Sequence, residues 1–483
     1  MTSFWWQDVG MNEKSEQKIA DRVNNRSHRP TSEKFLEFIG DNWASKSDEL
    51  PAPAEFAKFS AARRKAVAEA FAGKVVVIEA GSLKTRSNDT DYRFRPHAAF
   101  THLTGWGTHT VPDSILVIDA SAHGAISTVF FRETAGRNTR EFFSDSTIGE
   151  FWVGQRPTLA QVGAHLHIAT RSLAEFDDFL SQHASSDVLR ISEDGPSDEK
   201  LAEFVSELRF VKDAYEIAEM RKAVAASVKG FENVVRALPK AIGHPRGERV
   251  VDATFYGTAR VEGNDLGYDT IAAAGNHACT LHWEVNDGPI KDGDLLLLDA
   301  GVEVDSLYTA DVTRTLPVNG KFTPNQRLIY DAALKAADAV FAVAKPGVKF
   351  RVLHETAMRV IAETVHEWGF SEMSVDESLL PENQMHRRWM VHGTSHHLGL
   401  DVHDCAQARR ELYLEQELKP GMIFTIEPGL YLQPDDLLVP EHLRGIGVRI
   451  EDDVLVTETG VENLTAALPR NADEVEAWMA SLA

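Results

Sequence analysis

Leu295-Leu296-Leu297-Leu298-Asp299-Ala300-Gly301, answered a short way on by Asp311-Val312-Thr313-Arg314-Thr315-Leu316, is the stretch on which the reading of this chain turns. Four consecutive leucines describe a strand buried on both faces, and Asp299 closes it. In the return segment polar and apolar residues alternate, so Asp311, Thr313 and Thr315 share one face. An antiparallel return of this hairpin brings Asp299 and Asp311 together. Two carboxylates at the end of an apolar strand repel each other, and burying them ionised without a partner is prohibitive.

Further acids continue the pattern. Thr425-Ile426-Glu427-Pro428-Gly429 sets a carboxylate beside a turn, and in Gly447-Val448-Arg449-Ile450-Glu451 alternation puts Arg449 and Glu451 on one face. His396 lies in His392-Gly393-Thr394-Ser395-His396-His397-Leu398-Gly399-Leu400-Asp401-Val402-His403. Any one of these alone is an ordinary strand-end acid or a hydrogen-bonded histidine. Together, Asp299, Asp311, His396, Glu427 and Glu451 predict a site for two divalent cations and a bridging hydroxide, which bring the cluster near neutrality. Oxygen-rich ligation with one imidazole and no thiolate favours manganese, with cobalt or iron as alternatives; a structural zinc site wants more sulfur or nitrogen.

The chain has 483 residues, so more than one core is expected. A net charge of -23, from 50 basic and 73 acidic side chains, argues against nucleic acid or an anionic membrane as partner. The longest apolar runs are strand-sized, no signal peptide is evident in the first residues, and the two cysteines, Cys279 and Cys405, form no disulfide framework. These features predict a cytoplasmic location. Residues 1–47 read as a polar arm that orders only by docking on a neighbouring domain or subunit. Strand-like runs at Val75–Ile78, Ser114–Ile118 and Thr128–Phe131, between helix-like stretches at Ala54–Ala72 and Leu173–Leu180, predict an α/β domain over residues 48–191. After the turn-rich Ser192–Asp198, helical stripes (Leu201, Phe204, Val205, Leu208; then Ile217, Met220, Val224, Val228) open a second, α+β domain over residues 199–483. Thr323-Pro324-Asn325-Gln326 predicts a capped helix start, with Pro346-Gly347 ending that helix.

At these residues the chain resembles the creatinase/aminopeptidase superfamily of "pita-bread" metallopeptidases, and within it the Xaa-Pro aminopeptidases. The resemblance covers residues 50–475 and is carried by Leu298-Asp299-Ala300-Gly301, Ala310-Asp311-Val312-Thr313-Arg314-Thr315, His392-Gly393-Thr394-Ser395-His396, Gly399-Leu400-Asp401-Val402-His403-Asp404, Ile426-Glu427-Pro428-Gly429-Leu430-Tyr431 and Gly445-Ile446-Gly447-Val448-Arg449-Ile450-Glu451-Asp452. It implies an α/β N-terminal domain plus an α+β C-terminal pita-bread catalytic domain. It implies Asp299 on one metal, Asp311 and Glu451 bridging, and His396 and Glu427 on the other, with Glu427 also accepting the proton of the bridging water. His282, His392 and His403 match histidines around the substrate, with roles in proton relay and oxyanion stabilisation, and Tyr431 and Arg449 fall beside the site. Trp152, in Gly149-Glu150-Phe151-Trp152-Val153-Gly154, matches a segment that in relatives reaches a neighbouring subunit's active site. A homodimer or homotetramer is implied. Two departures stand out. The stretch between Asp299 and Asp311 is one residue longer around Asp305-Ser306, and His397 occupies a place where relatives carry a bulky aromatic, which predicts an altered cleft.

Three functions follow from these residues. The first is an exopeptidase that removes the residue before a proline in second position, using two Mn(2+) per subunit. The second is a prolidase restricted to Xaa-Pro dipeptides; it shares all five ligands, and the Glu441-His442-Leu443-Arg444-Gly445 continuation with the extended N-terminal domain favours the first. The third is a metal-free peptide-binding or creatinase-like member of the fold, which the full ligand set disfavours.

Overall fold

The computed structural model describes residues 30, 32–44, 47, 49–88, 90–121, 125–182, 188–193 and 195–482. Residues 1–29 of the arm lie outside them. Its later part forms helix α1 (Glu33–Gly40), begun by a Ser32 side chain that accepts from the Phe35 amide. Phe35 meets Phe143 with ring centroids 5.1 Å apart, so this part of the arm does dock on the domain that follows.

That domain is built on a five-stranded mixed sheet. After helix α2 (Ala57–Ala70) come β1 (Val75–Glu79), β2 (Ile115–Asp119), β3 (Ile126–Phe131), β4 (Ala169–Ser172) and β5 (Val188–Ile191), in the spatial order β4-β3-β2-β1-β5. Val76, Ile78, Leu116 and Ile118 pack on one face; Val75, Val77 and Val117 pack with Phe130 and Phe176 on the other. Burial on both faces explains the unbroken apolar run at β1. The helix-like stretch after β4 is a 3-10 turn, Leu173–Glu175, running into a short helix, Phe176–Ser181.

A helix at Glu199–Glu207 leads into the second domain. Helix α3 (Ala214–Ala241) starts from an Asp213/Glu216 capping box and packs along α4 (Gly247–Glu262). The sheet core begins with β6 (Ile271–Ala274), β7 (Leu295–Asp299) and β8 (Thr313–Pro317), with β7 in the middle. Helices α5 (Pro324–Val343) and α6 (Arg351–Glu367) follow and pack on each other. Then come β9 (Ile423–Ile426), β10 (Gly429–Leu432), β11 (Ile446–Arg449) and β12 (Asp452–Val456), with β9 pairing β12 and β10 pairing β11. The bond from Glu451 N to Thr313 O (3.0 Å) and that from the Thr315 hydroxyl to Arg449 O (2.9 Å) stitch the two groups of strands together. The functional acids lie along that seam.

The hairpin tip between β7 and β8 touches the first domain: the Thr108 amide donates to Asp305 O at 3.1 Å. The junction is heavily ionic. Arg63 pairs with Asp213 and with Glu216 at 3.1 Å, and Arg95 pairs with Glu303 at 2.6 Å.

Candidate active site

The four acids among the proposed metal ligands stand at or beside strand ends, and His396 lies in an irregular segment next to the isolated bridge between His397 and Phe424. In the β7–β8 ladder Asp299 faces Thr313, and the Ala300 amide bonds Val312 O, which carries Asp311 alongside. Gly301 makes the close return possible: a Cβ there would lie 1.7 Å from Ala310 O. Glu427 stands between β9 and β10, and Glu451 between β11 and β12.

Asp311, His396 and Glu451 offer ligand atoms within 4.8 Å of one another. His396 Nε2 lies 3.2 Å from Asp311 and 3.5 Å from Glu427. Asp299 joins from the far side through Tyr268, whose hydroxyl oxygen lies 2.7 Å from Asp299 and 2.5 Å from Asp311, within hydrogen-bond distance of both. Arg449 donates to Asp299 at 2.5 Å and to the Tyr431 hydroxyl at 2.9 Å. Tyr431 in turn lies 2.7 Å from His392 Nε2, and His392 Nδ1 lies 3.4 Å from Glu427. Thr313 donates to Glu451 at 2.7 Å. All five acids and imidazoles expected from sequence line one cavity of about 400 Å³, together with Tyr268, His282, His392, His403 and Arg449.

The electrostatics are those of trapped negative charge. Burial, and then the neighbouring carboxylates, push Glu451 well above the usual carboxylate range, and Asp311 is raised for the same reasons. Burial opposes the charge on Glu427 too, but His392, His396 and Arg449 outweigh it and hold its carboxyl at about 2. For His396 burial works against protonation, while the hydrogen bond to Asp311 and the charge of Glu427 prevail and hold it up at about 9. Burial, then His396, lowers His403, whose ring stands edge-on to that of His396 with centroids 4.5 Å apart. Oxygen donors, one imidazole and an excess of buried anion fit a divalent cation.

Other residues fall elsewhere. Trp152 sits on a one-turn helix, Glu150–Val153, of the first domain. It is 53% exposed, donates to Phe143 O at 2.7 Å, and is not among the residues lining the cavity. His397 corrects an expectation: it does not shape the cleft. It is fully buried on the opposite side, stacked on Phe350 at 4.4 Å and flanked by Phe210 and Tyr413, because adjacent residues of an extended segment point to opposite faces. Burial drives its pKa down to about 3. Asp401 accepts from Arg209 at 2.8 Å. Cys279 and Cys405 are buried thiols, with burial pushing Cys279 up to about 12.

Two residues escaped the sequence reading. Tyr268 follows a glycine in a loop with no motif to mark it. Asp453, fully buried and accepting from the Asp311 amide at 3.3 Å, had a visible signal: two successive acids, Asp452-Asp453, leading an otherwise aliphatic strand.

Such a cage defines a metal-dependent hydrolase. The chain matches metallopeptidase family M24 over residues 218–458 and the aminopeptidase P N-terminal domain over residues 60–190. It is 46% identical to Xaa-Pro aminopeptidase 1 of Streptomyces coelicolor, covering 97% of this chain and 96% of that protein. It is 32% identical to the Xaa-Pro aminopeptidase of Escherichia coli, covering 86% and 96%. Zinc-substituted E. coli aminopeptidase P in complex with product superposes with a TM-score of 0.77 at 30% identity, covering 90% of this chain and 100% of that one. Aminopeptidase PepP of Pseudomonas aeruginosa gives 0.77 at 29% identity, covering 88% and 98%. The chain belongs to the Xaa-Pro aminopeptidase family of M24 metallopeptidases, with the N-terminal α/β domain and pita-bread catalytic domain of that family.

Proposed function

We propose that this chain hydrolyses the bond before a proline in second position of a peptide, with two Mn(2+) per subunit held by Asp299, Asp311, His396, Glu427 and Glu451. The observation that carries this reading is the convergence of these five side chains on one buried cavity, three of them within 4.8 Å. Cations bound there supply Lewis-acid polarisation of the scissile carbonyl and a water of lowered pKa. The protein does the rest. Glu427 lines the cavity 3.4 Å from His392 and 3.5 Å from His396, where it is placed to take a proton from the attacking water. His392, linked to Glu427 on one side and Tyr431 on the other, steadies that carboxylate. His282 and His403 face the cavity, where they can donate to the oxyanion of the tetrahedral intermediate and pass a proton to the leaving imide nitrogen. Proline locks φ and removes the amide hydrogen, so binding such a bond calls for a dedicated cleft.

The half-exposed Trp152 is assigned to the rim of a neighbouring protomer's cleft in a homodimer or homotetramer. The domain limits are taken as an arm to residue 47, then residues 48–191 and 199–483. Free buried thiols accord with a cytoplasmic setting, and no helix among the described residues is long and apolar enough to cross a membrane. The test is metal depletion followed by titration with manganese, assayed on Xaa-Pro-Xaa tripeptides and Xaa-Pro dipeptides. Restoration at two equivalents with tripeptides cleaved faster supports the proposal; dipeptide-only activity selects prolidase, and full activity without metal overturns it.

A further inference from the structure

Glu248 is a fully buried carboxylate outside the metal cluster, in the first turn of α4. Its two oxygens take four donors, one at the end of β6 and three from the loop that follows it. Oε1 accepts from the Ala274 amide at 2.9 Å and lies 2.7 Å from His277 Nδ1; Oε2 accepts from Trp283 Nε1 at 2.9 Å and from the Gly288 amide at 2.6 Å. His277 and Trp283 stack with centroids 3.8 Å apart, closing the loop on itself. A Cβ at residue 288 would come 2.7 Å from Glu248 Oε2 and 2.6 Å from the His277 ring, so only glycine lets that amide reach the acid. Two residues earlier, buried Asn286 adopts a φ of 47° and clips the loop to the sheet, accepting from the Ala272 amide (2.9 Å) and donating to Thr270 O (2.7 Å). Arg249, next to Glu248, adds a bond to Asn286 O at 3.2 Å. Within this clamped loop stands His282, an exposed side chain lining the metal cavity, immediately before Trp283.

We propose that Glu248 is a positioning residue: through Ala274, His277, Trp283 and Gly288 it latches the loop of residues 275–288 so that His282 faces the reacting peptide. An acid that takes one donor from the strand and three from the loop ties that loop to the sheet in one geometry, and a shift of about 1 Å at a reacting group costs on the order of 100-fold in rate. This deepens the function proposed above and rests on the role given there to His282.

The test is a double-mutant cycle with hydrogen exchange. Glu248→Gln turns one acceptor oxygen into an NH2 group facing two N–H donors. It is expected to lower kcat about tenfold, leave KM within about twofold, and speed exchange at residues 275–288. In a His282→Ala background it should cost nothing further, because its effect passes through that histidine. Trp283→Phe, which removes one donor and keeps the acid, should act in the same direction more mildly if Glu248→Gln does not fold. An equal loss in the His282→Ala background, or unchanged exchange in the loop, overturns the latch. Faster loop exchange with kcat unchanged in both Glu248→Gln and His282→Ala upholds the latch and refutes the role of His282.

Discussion

Tyr268→Phe is the most telling single-atom change. Its hydroxyl bonds Asp299 at 2.7 Å and Asp311 at 2.5 Å, acids that stand on opposite arms of the hairpin. Losing it leaves Asp299 with Arg449 and Asp311 with His396, so neither acid is orphaned and the fold should persist. What is lost is the tie between the two carboxylates. Hydrogen bonds to charged groups contribute about 1.5–3 kcal/mol. With about 1.4 kcal/mol per decade, one such bond's worth corresponds to roughly 10- to 100-fold in metal affinity, the usual cost of removing a group that orients a ligand. Activity measured against buffered free metal should shift to higher concentration by that factor, recovering much of kcat at saturation. A half-saturating metal concentration within about twofold of wild type would refute the idea that the tyrosine sets the spacing of the two acids.

Glu427→Gln should keep the fold but reduce turnover by at least about 100-fold, the contribution expected of a general base; near-normal turnover would dismiss its role. Arg314 is buried among the Glu451, Leu468 and Pro469 carbonyls and Asp452 (2.6 Å), so Arg314→Met strands a buried acid and should cost about 3–5 kcal/mol in urea unfolding. A loss under about 1 kcal/mol would show that Thr465 and Arg470 compensate. Burial, then Arg63, outweighs Glu216 and keeps His102 below its ordinary pKa in the folded state. Its stabilising contribution is therefore present above pH ~6.5 and is lost as pH falls from there through the folded value. Tm should drop across that window, and His102→Gln should flatten the drop; parallel profiles would remove His102 from the explanation.

Much of the site could be read from the chain because the four acids stand at or beside the ends of strands with a clear apolar pattern. Leu295–Leu298 could only be buried, so whatever ended it had to sit at a core boundary, and alternation along Thr313–Leu316 and Val448–Glu451 said which side chains share a face. Tyr268 gave no such clue, since a loop residue's reach depends on where the loop is carried. Glu248 was equally silent: on a helix, an acid in the first turn looks like a dipole partner. Its four donors, from Ala274 to Gly288, come into view only when α4 is laid against the sheet.

The sequence by itself determined the identity of the five metal-binding candidates and the capped start of α5, consequences of period, charge and chain stiffness within a few residues. Only the tertiary structure decided that His396 turns to the cavity while His397 packs on Phe350, and that Asp305 meets Thr108 of the other domain. It also decided that Arg449 and Tyr268 divide Asp299 between them. Those choices depend on contacts between segments far apart in the chain, and local propensity carries no term for them.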